Sequence, residues 1–162
     1  MRRALLLICI PILAGCSSEP FKPSTDQRNE AFEVFFPALI ASNGSASMAR
    51  KSAIVLCFPK HTDPDPEFLS RFSSRPIPIL PCSAATRGPR PTNEVILISS
   101  SGPAMELRVD AAYFSSDSQV AVEGGYAEAT LSFASYRLEM KKRHGKWVIE
   151  KRETFGVEPR VW

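Results

Sequence analysis

Eight of the chain's 14 prolines fall between residues 59 and 91, and no other feature limits the fold so strongly. Proline fixes φ near about −65°, brings no backbone N–H, and pushes the residue before it out of the helical region. Neither a long helix nor a central strand can run through such a stretch. Its regular pieces must be short or lie at a sheet edge. Ile77, Ile79 and Leu80, caught among Pro76, Pro78 and Pro81, read as an extended edge segment. Phe68, Leu69 and Phe72 read as a short helix opening after Asp65, with Pro66 in its first turn, where a missing N–H does no harm.

Before this stretch the pattern is helical. Ser24 and Gln27 have capping-box spacing, and Asp26 suits the positive end of a helix dipole. A helix is expected to start near Thr25 or Asp26. Phe32, Phe35, Phe36, Leu39 and Ile40 make one apolar face. Pro37 predicts a kink or an end, and Ser42 to Ser45 stops the helix. Ala53 to Phe58 is a short apolar run that reads as a buried strand, closed by Pro59.

From Thr92 onward the pattern is β. Val95 to Ile98 is one run. Met105, Leu107 and Val109 alternate with Glu106, Arg108 and Asp110, which predicts a half-exposed strand. Ser115 to Ser118 reads as a turn. Val120 and Val122 alternate again until Gly124 and Gly125 interrupt. A last hairpin turns at His144 and Gly145. Counting outward from the turn, Tyr136, Leu138 and Met140 share a face with Trp147 and Ile149. Arg137, Glu139, Lys141 and Arg143 share the other with Glu150 and Arg152. The order predicts an α+β fold: an N-terminal helix packed on a curved, mainly antiparallel sheet of four to five strands, with a Pro-rich insert. The ending Tyr136 to Ile149, with its Gly145-Lys146-Trp147, resembles the closing hairpin of the cystatin-like and nuclear-transport-factor-like cone folds. That likeness covers the last third of the chain and implies a fold, not an activity.

The N-terminus has a different logic. Arg2 and Arg3 precede an apolar run from Ala4 to Leu13. Spanning a hydrocarbon core takes roughly 20 helical residues, so this run is too short for that and has the form of a secretory signal. It ends in Leu13-Ala14-Gly15-Cys16, which resembles the lipobox of bacterial lipoproteins. The resemblance implies cleavage before Cys16 and lipidation, palmitate included, of that residue. Residues 1–15 are then a removed signal, 16–25 a lipid-anchored tether and 26–162 a single α+β domain. Two or three acyl chains make a stable anchor where one does not. Ser17, in place of the aspartate that favours inner-membrane retention in that family, implies the outer membrane facing the periplasm. Cys9 leaves with the signal and Cys16 goes to lipid. Cys57 and Cys82 remain, and in an exported protein they are expected to pair, at about 3–4 kcal/mol by chain entropy.

Little in the mature chain points to chemistry. Loss of Arg2 and Arg3 takes two charges from a formal net of +3, so there is no argument for nucleic acid. His61 lies near Asp63, Asp65 and Glu67, the one dense group of metal-ligand or acid–base types. It reads as a solvated loop with a helix cap, not as a metal or catalytic site. His144 reads as a turn residue. No G-x-S-x-G, H-E-x-x-H, S-x-x-K or P-loop pattern occurs, and no cofactor is implied. Lys141, Lys142, Arg143 and Lys146 cluster at the hairpin tip. They protect strand edges or touch anionic lipid or another acidic envelope polymer. The expected partners are the membrane through the lipid, and an envelope protein, peptidoglycan or an inhibited enzyme. The expectation is thus a non-catalytic binding or scaffolding domain held at the envelope. The alternative is a small cone-fold hydrolase or isomerase, for which Asp110, Tyr113 and Tyr126 are the strand-region candidates.

Overall fold

The structure is a computed structural model that describes residues 20–42, 50–129 and 132–155. Cys16 and the lipobox lie outside the described residues. Helix α1 spans Thr25–Ser42. Its start is the expected capping box: the Ser24 N–H donates to Gln27 Oε1 at 2.9 Å, and the Gln27 N–H donates to Ser24 Oγ at 3.1 Å. Pro37 does not end it. Phe35 and Phe36 before the proline and Leu39 after it are all buried. The carbonyl that loses its partner belongs to exposed Glu33, within reach of water.

Strand β1 (Ala53–Cys57) is buried at every position. The proline-rich stretch then supplies helix α2 (Pro66–Ser70) and strand β2 (Ile79–Pro81). Asp65 caps α2, accepting the Phe68 N–H at 2.7 Å. β2 lies at the edge of the sheet, beside β1 and parallel to it. A parallel neighbour needs a crossover of a dozen or more residues. Residues 58–78 are that crossover rather than an insert. Next come β3 (Ala85–Arg87) and β4 (Val95–Leu97), which pair with each other as a two-stranded ribbon apart from the main sheet. The run at Val95 is therefore no strand of the main sheet, and Ile98 lies outside it, 64% exposed.

Four long strands complete the main sheet: β5 (Ala104–Ser116), β6 (Gln119–Ala129), β7 (Ser132–Arg143) and β8 (Lys146–Phe155). The order is β2-β1-β5-β6-β7-β8, six strands rather than four or five. β1 pairs with β2 and β5 in parallel, and the remaining pairs are antiparallel. The fold is α+β with one main helix and a mostly antiparallel sheet.

Gly124 and Gly125 do not interrupt β6, which runs through both. A Cβ at Gly124 would meet the Arg108 carbonyl oxygen, and one at Gly125 that of Ala134. The two glycines permit close approach by the strands on either side. The final hairpin turns at His144 and Gly145, with φ of 51° and 77°, both in the region that a type I′ turn requires. Trp147 and Ile149 face Lys142 and Met140 as expected. Glu150 is a bulge, and beyond it the count changes by one. Arg152 therefore stands opposite Leu138, not on the wet face with Arg137, and its guanidinium lies 4.5 Å from the Tyr136 ring centroid.

The core fills both faces of the first strands. On the helix side, α1 and α2 press Phe32, Phe35, Phe36, Leu39 and Phe68 onto Leu56, Leu107, Val122 and Leu138. Phe36 meets Phe58 and Phe68 at ring separations of 6.4 and 6.1 Å, and Phe58 meets Phe68 at 5.0 Å. On the far side the ribbon lays Val95 and Leu97 over Ala53, Val55 and Ala104. Glu30 of α1 pairs with Lys142 of β7 at 2.7 Å. Truncating Phe36, fully buried at the centre of the helix-side cluster, should cost about 3–5 kcal/mol. Urea unfolding of Phe36→Ala should show it as a lower midpoint with an unchanged slope.

Candidate functional site

Three polar residues at the start of the crossover, His61, Thr62 and Asp63, reach the ribbon side of the sheet. Pro59–His61 forms a 3₁₀ turn. It is closed by a bridge in which the Phe58 N–H donates to the Thr62 carbonyl at 2.9 Å. The closure forces Lys60 and His61 into left-handed backbone, φ 65° and 55°. For residues with a Cβ this costs about 1–2 kcal/mol each. Such strain persists where the surroundings over-determine it, and it concentrates at functional positions.

Cys57 and Cys82 are joined by a disulfide, with Cα atoms 4.7 Å apart. The cause is register. β1 and β2 align Ile54 with Ile79, Val55 with Leu80 and Leu56 with Pro81, and the next step along both chains brings the cysteines together. His61 Nδ1 lies 3.9 Å from Cys82 Sγ. The acidic neighbours of His61 disperse, as a solvated loop with a helix cap would. Asp63 accepts from the Ser83 N–H and the Ser83 hydroxyl, both at 2.7 Å. Asp65 caps α2 and accepts a long bond from buried Asn29 at 3.5 Å. Glu67 is loosely paired with Arg71 at 3.7 Å.

His61, Asp63, Cys82 and Ser83 line an open cleft of about 570 Å³ between the crossover and the ribbon. Val55 and Val95 make its apolar floor; His61, Asp63, Ser83, Thr86 and Arg87 form its rim. At its back sits Glu106, whose side chain is only 9% exposed. Arg87 donates to Glu106 Oε2 at 2.8 Å, and Arg108 stands 3.7 Å from Oε1, too far for a hydrogen bond. Oε1 is buried with no hydrogen-bond partner among the described residues. Thr62 and Asp63 also line a second cleft of about 600 Å³, between the first turns of α1 and the sheet. Residues 62 and 63 thus divide two concavities.

Glu106 and Arg87 were not legible as site residues. Alternation along β5 placed Glu106 in water with Arg108 and Asp110. The ribbon covers it instead. The signal lay in the run at Val95, whose apolar side chains need a sheet face to cover.

The hairpin-tip cations are divided. Lys142 is taken by Glu30, with its ammonium 5.3 Å from the Trp147 ring centroid, and Arg143 pairs with Glu150 at 2.5 Å. Lys141 and Lys146 are exposed, with no ion pair among the described residues. The strand-region candidates for catalysis do not converge. Asp110 sits at one of the two register shifts of β5 and pairs with Arg108 at 3.0 Å. Tyr113, 55% exposed, faces away from α1, while Tyr126 packs against the helix-side core. At the far end of the sheet, Glu153 raises the Lys151 pKa through a hydrogen bond and its charge, and Lys151 lowers that of Glu153 in return. Both groups are exposed and remote from the cleft. Among the described residues, no helix is long and apolar enough to cross a membrane.

The Glu106–Arg87 pair gives a test of what holds the ribbon to the sheet. Removing one partner strands the other charge, whereas removing both need not. Arg87→Met should destabilise by about 1–3 kcal/mol, and Arg87→Met with Glu106→Met should recover most of that loss. A double-mutant cycle from chemical denaturation measures both.

Comparison with protein families, curated proteins and solved structures finds no match for this chain, so the roles of these residues rest on their geometry.

Proposed function

We propose that this chain is a lipid-anchored protein of the bacterial envelope whose domain binds a partner in its ribbon-side cleft and carries out no reaction. Leu13-Ala14-Gly15-Cys16 supports the anchor. The tether to residue 25 supports a domain held off the bilayer, on the periplasmic side of the outer membrane by the reading of Ser17. Curvature of the sheet, which the cone-like reading requires, would come from the register shifts in β5, β6 and β7–β8.

One observation carries the binding reading: the centre of the space between sheet and helix is packed with side chains, and the cleft on that side lies out at the first turns of α1. In cone-fold enzymes of the alternative class, that space would hold the substrate in an apolar pocket with converging polar groups. Here Phe32, Phe35, Phe36 and Phe68 occupy it. What the domain offers a partner is a cleft with an apolar floor and both signs of charge on its walls. Glu106 favours the alternative as a buried carboxylate, but its bond to Arg87 gives it a holding role.

The two halves of the proposal are tested separately. Cys16→Ala should move the protein from the membrane fraction to the soluble periplasmic fraction and abolish labelled palmitate incorporation. Unchanged fractionation defeats the anchor. Thr86→Trp, at an exposed rim position, should abolish capture of whatever envelope component the native protein retains, while Lys146→Trp should not. Equal capture by both variants places the contact elsewhere.

A further inference from the structure

We infer that reduction of the Cys57–Cys82 bond creates a two-cysteine, one-histidine site for a borderline-soft divalent cation, with Zn²⁺ the best fit. The ligand atoms of Cys57, His61 and Cys82 all lie within 4.8 Å of one another. Tetrahedral zinc, with bonds of about 2.3 Å to sulfur and about 2.0 Å to nitrogen, sets its ligands roughly 3.5–3.8 Å apart. Side-chain rotation spans that difference.

Three features hold the ligands without the covalent bond. The cysteines are brought together by the β1–β2 ladder and by the Ile54 N–H donating to the Pro78 carbonyl at 2.9 Å. The Asp63–Ser83 bonds fix the turn that follows Cys82. The Phe58–Thr62 bridge fixes the turn that carries His61, at the expense of two left-handed residues. His61 and Cys82 also line the open cleft, so a cation here keeps a fourth position for water or a small ligand. Thiolate and imidazole donors select zinc over magnesium or calcium.

The chemistry balances. A dithiol reductant attacks the Cys82 sulfur, the half-buried member of the pair. The S–S bond breaks, both cysteines become thiols, and the reductant leaves as its own disulfide. Zn²⁺ then displaces the two thiol protons to solvent, and neutral His61 supplies a ring nitrogen. Oxidation by a disulfide of the same class reverses the sequence and expels the metal. The corner would thus exchange a covalent clamp for a metal one according to the thiol redox state around it.

The test uses the full-length chain in detergent with Cys9→Ser and Cys16→Ser, so that Cys57 and Cys82 are the only thiols. After anaerobic reduction with a phosphine, Co²⁺ should bind one to one, with thiolate charge-transfer and tetrahedral ligand-field absorption, and Zn²⁺ should displace it. The oxidised protein should show neither band. His61→Asn, whose new side chain tolerates left-handed backbone, should weaken Zn²⁺ by about tenfold or more, since even outer-shell substitutions cost that much. Near-UV circular dichroism follows the fold throughout. The inference is overturned if the reduced chain loses its tertiary signal, if it gives no one-to-one Co²⁺ complex, or if His61→Asn binds as tightly as the parent.

Discussion

Strand β1 is the constraint on which the rest of this structure depends. Its five residues are apolar and buried on both faces, so it must be covered twice. Helices α1 and α2 cover one face with phenylalanine, and the β3–β4 ribbon covers the other. Both sheet neighbours of β1 run parallel to it, which the chain can achieve only by long excursions between them. The proline-rich segment and the ribbon are those excursions. Each crosses a different face of the sheet and packs down on β1.

This explains what could be read from the residues and what could not. Local signals were strong where one interaction decides the outcome. The Ser24–Gln27 cap, the Asp65–Pro66 start of α2, the edge position of Ile79 and the turn at His144 all depend on a few adjacent residues. The disulfide followed from counting cysteines. Failures came where a partner far along the chain decides. Burial of Glu106 depends on a separate ribbon upstream. The continuity of β6 through two glycines depends on backbone from β5 and β7. The face of Arg152 depends on one bulged residue, Glu150, which no alternation pattern marks. Residues 58–78 looked like an insertion because proline hides a parallel crossover that helices usually make.

The candidate site was legible in part for the same reason. His61, Cys57 and Cys82 could be picked out by residue type, yet nothing in their spacing shows that the first stands over the bond between the other two. That arrangement needs both the parallel register of β1 with β2 and the strained turn at Lys60. Asp63, Asp65 and Glu67 looked like a cluster by proximity in sequence. In space they do separate things. Asp63 pins the turn after Cys82, Asp65 caps α2, and Glu67 meets an arginine just past that helix. The hairpin cations show the same division, with Lys142 drawn to α1 and Arg143 to its own strand partner.

The two outer strands have a consequence for life in a crowded compartment. One border of the sheet is β2, three residues long and flanked by prolines. The other is β8, ten residues long, which could recruit a stray extended segment along its length. Its bulge at Glu150 breaks the even spacing of donors and acceptors, and Lys151, Arg152 and Glu153 crowd the stretch beyond with charge. An incoming backbone would find a matching run only as long as the few residues before the kink. Neither border of the sheet therefore offers a stray strand a long, evenly spaced row of donors and acceptors.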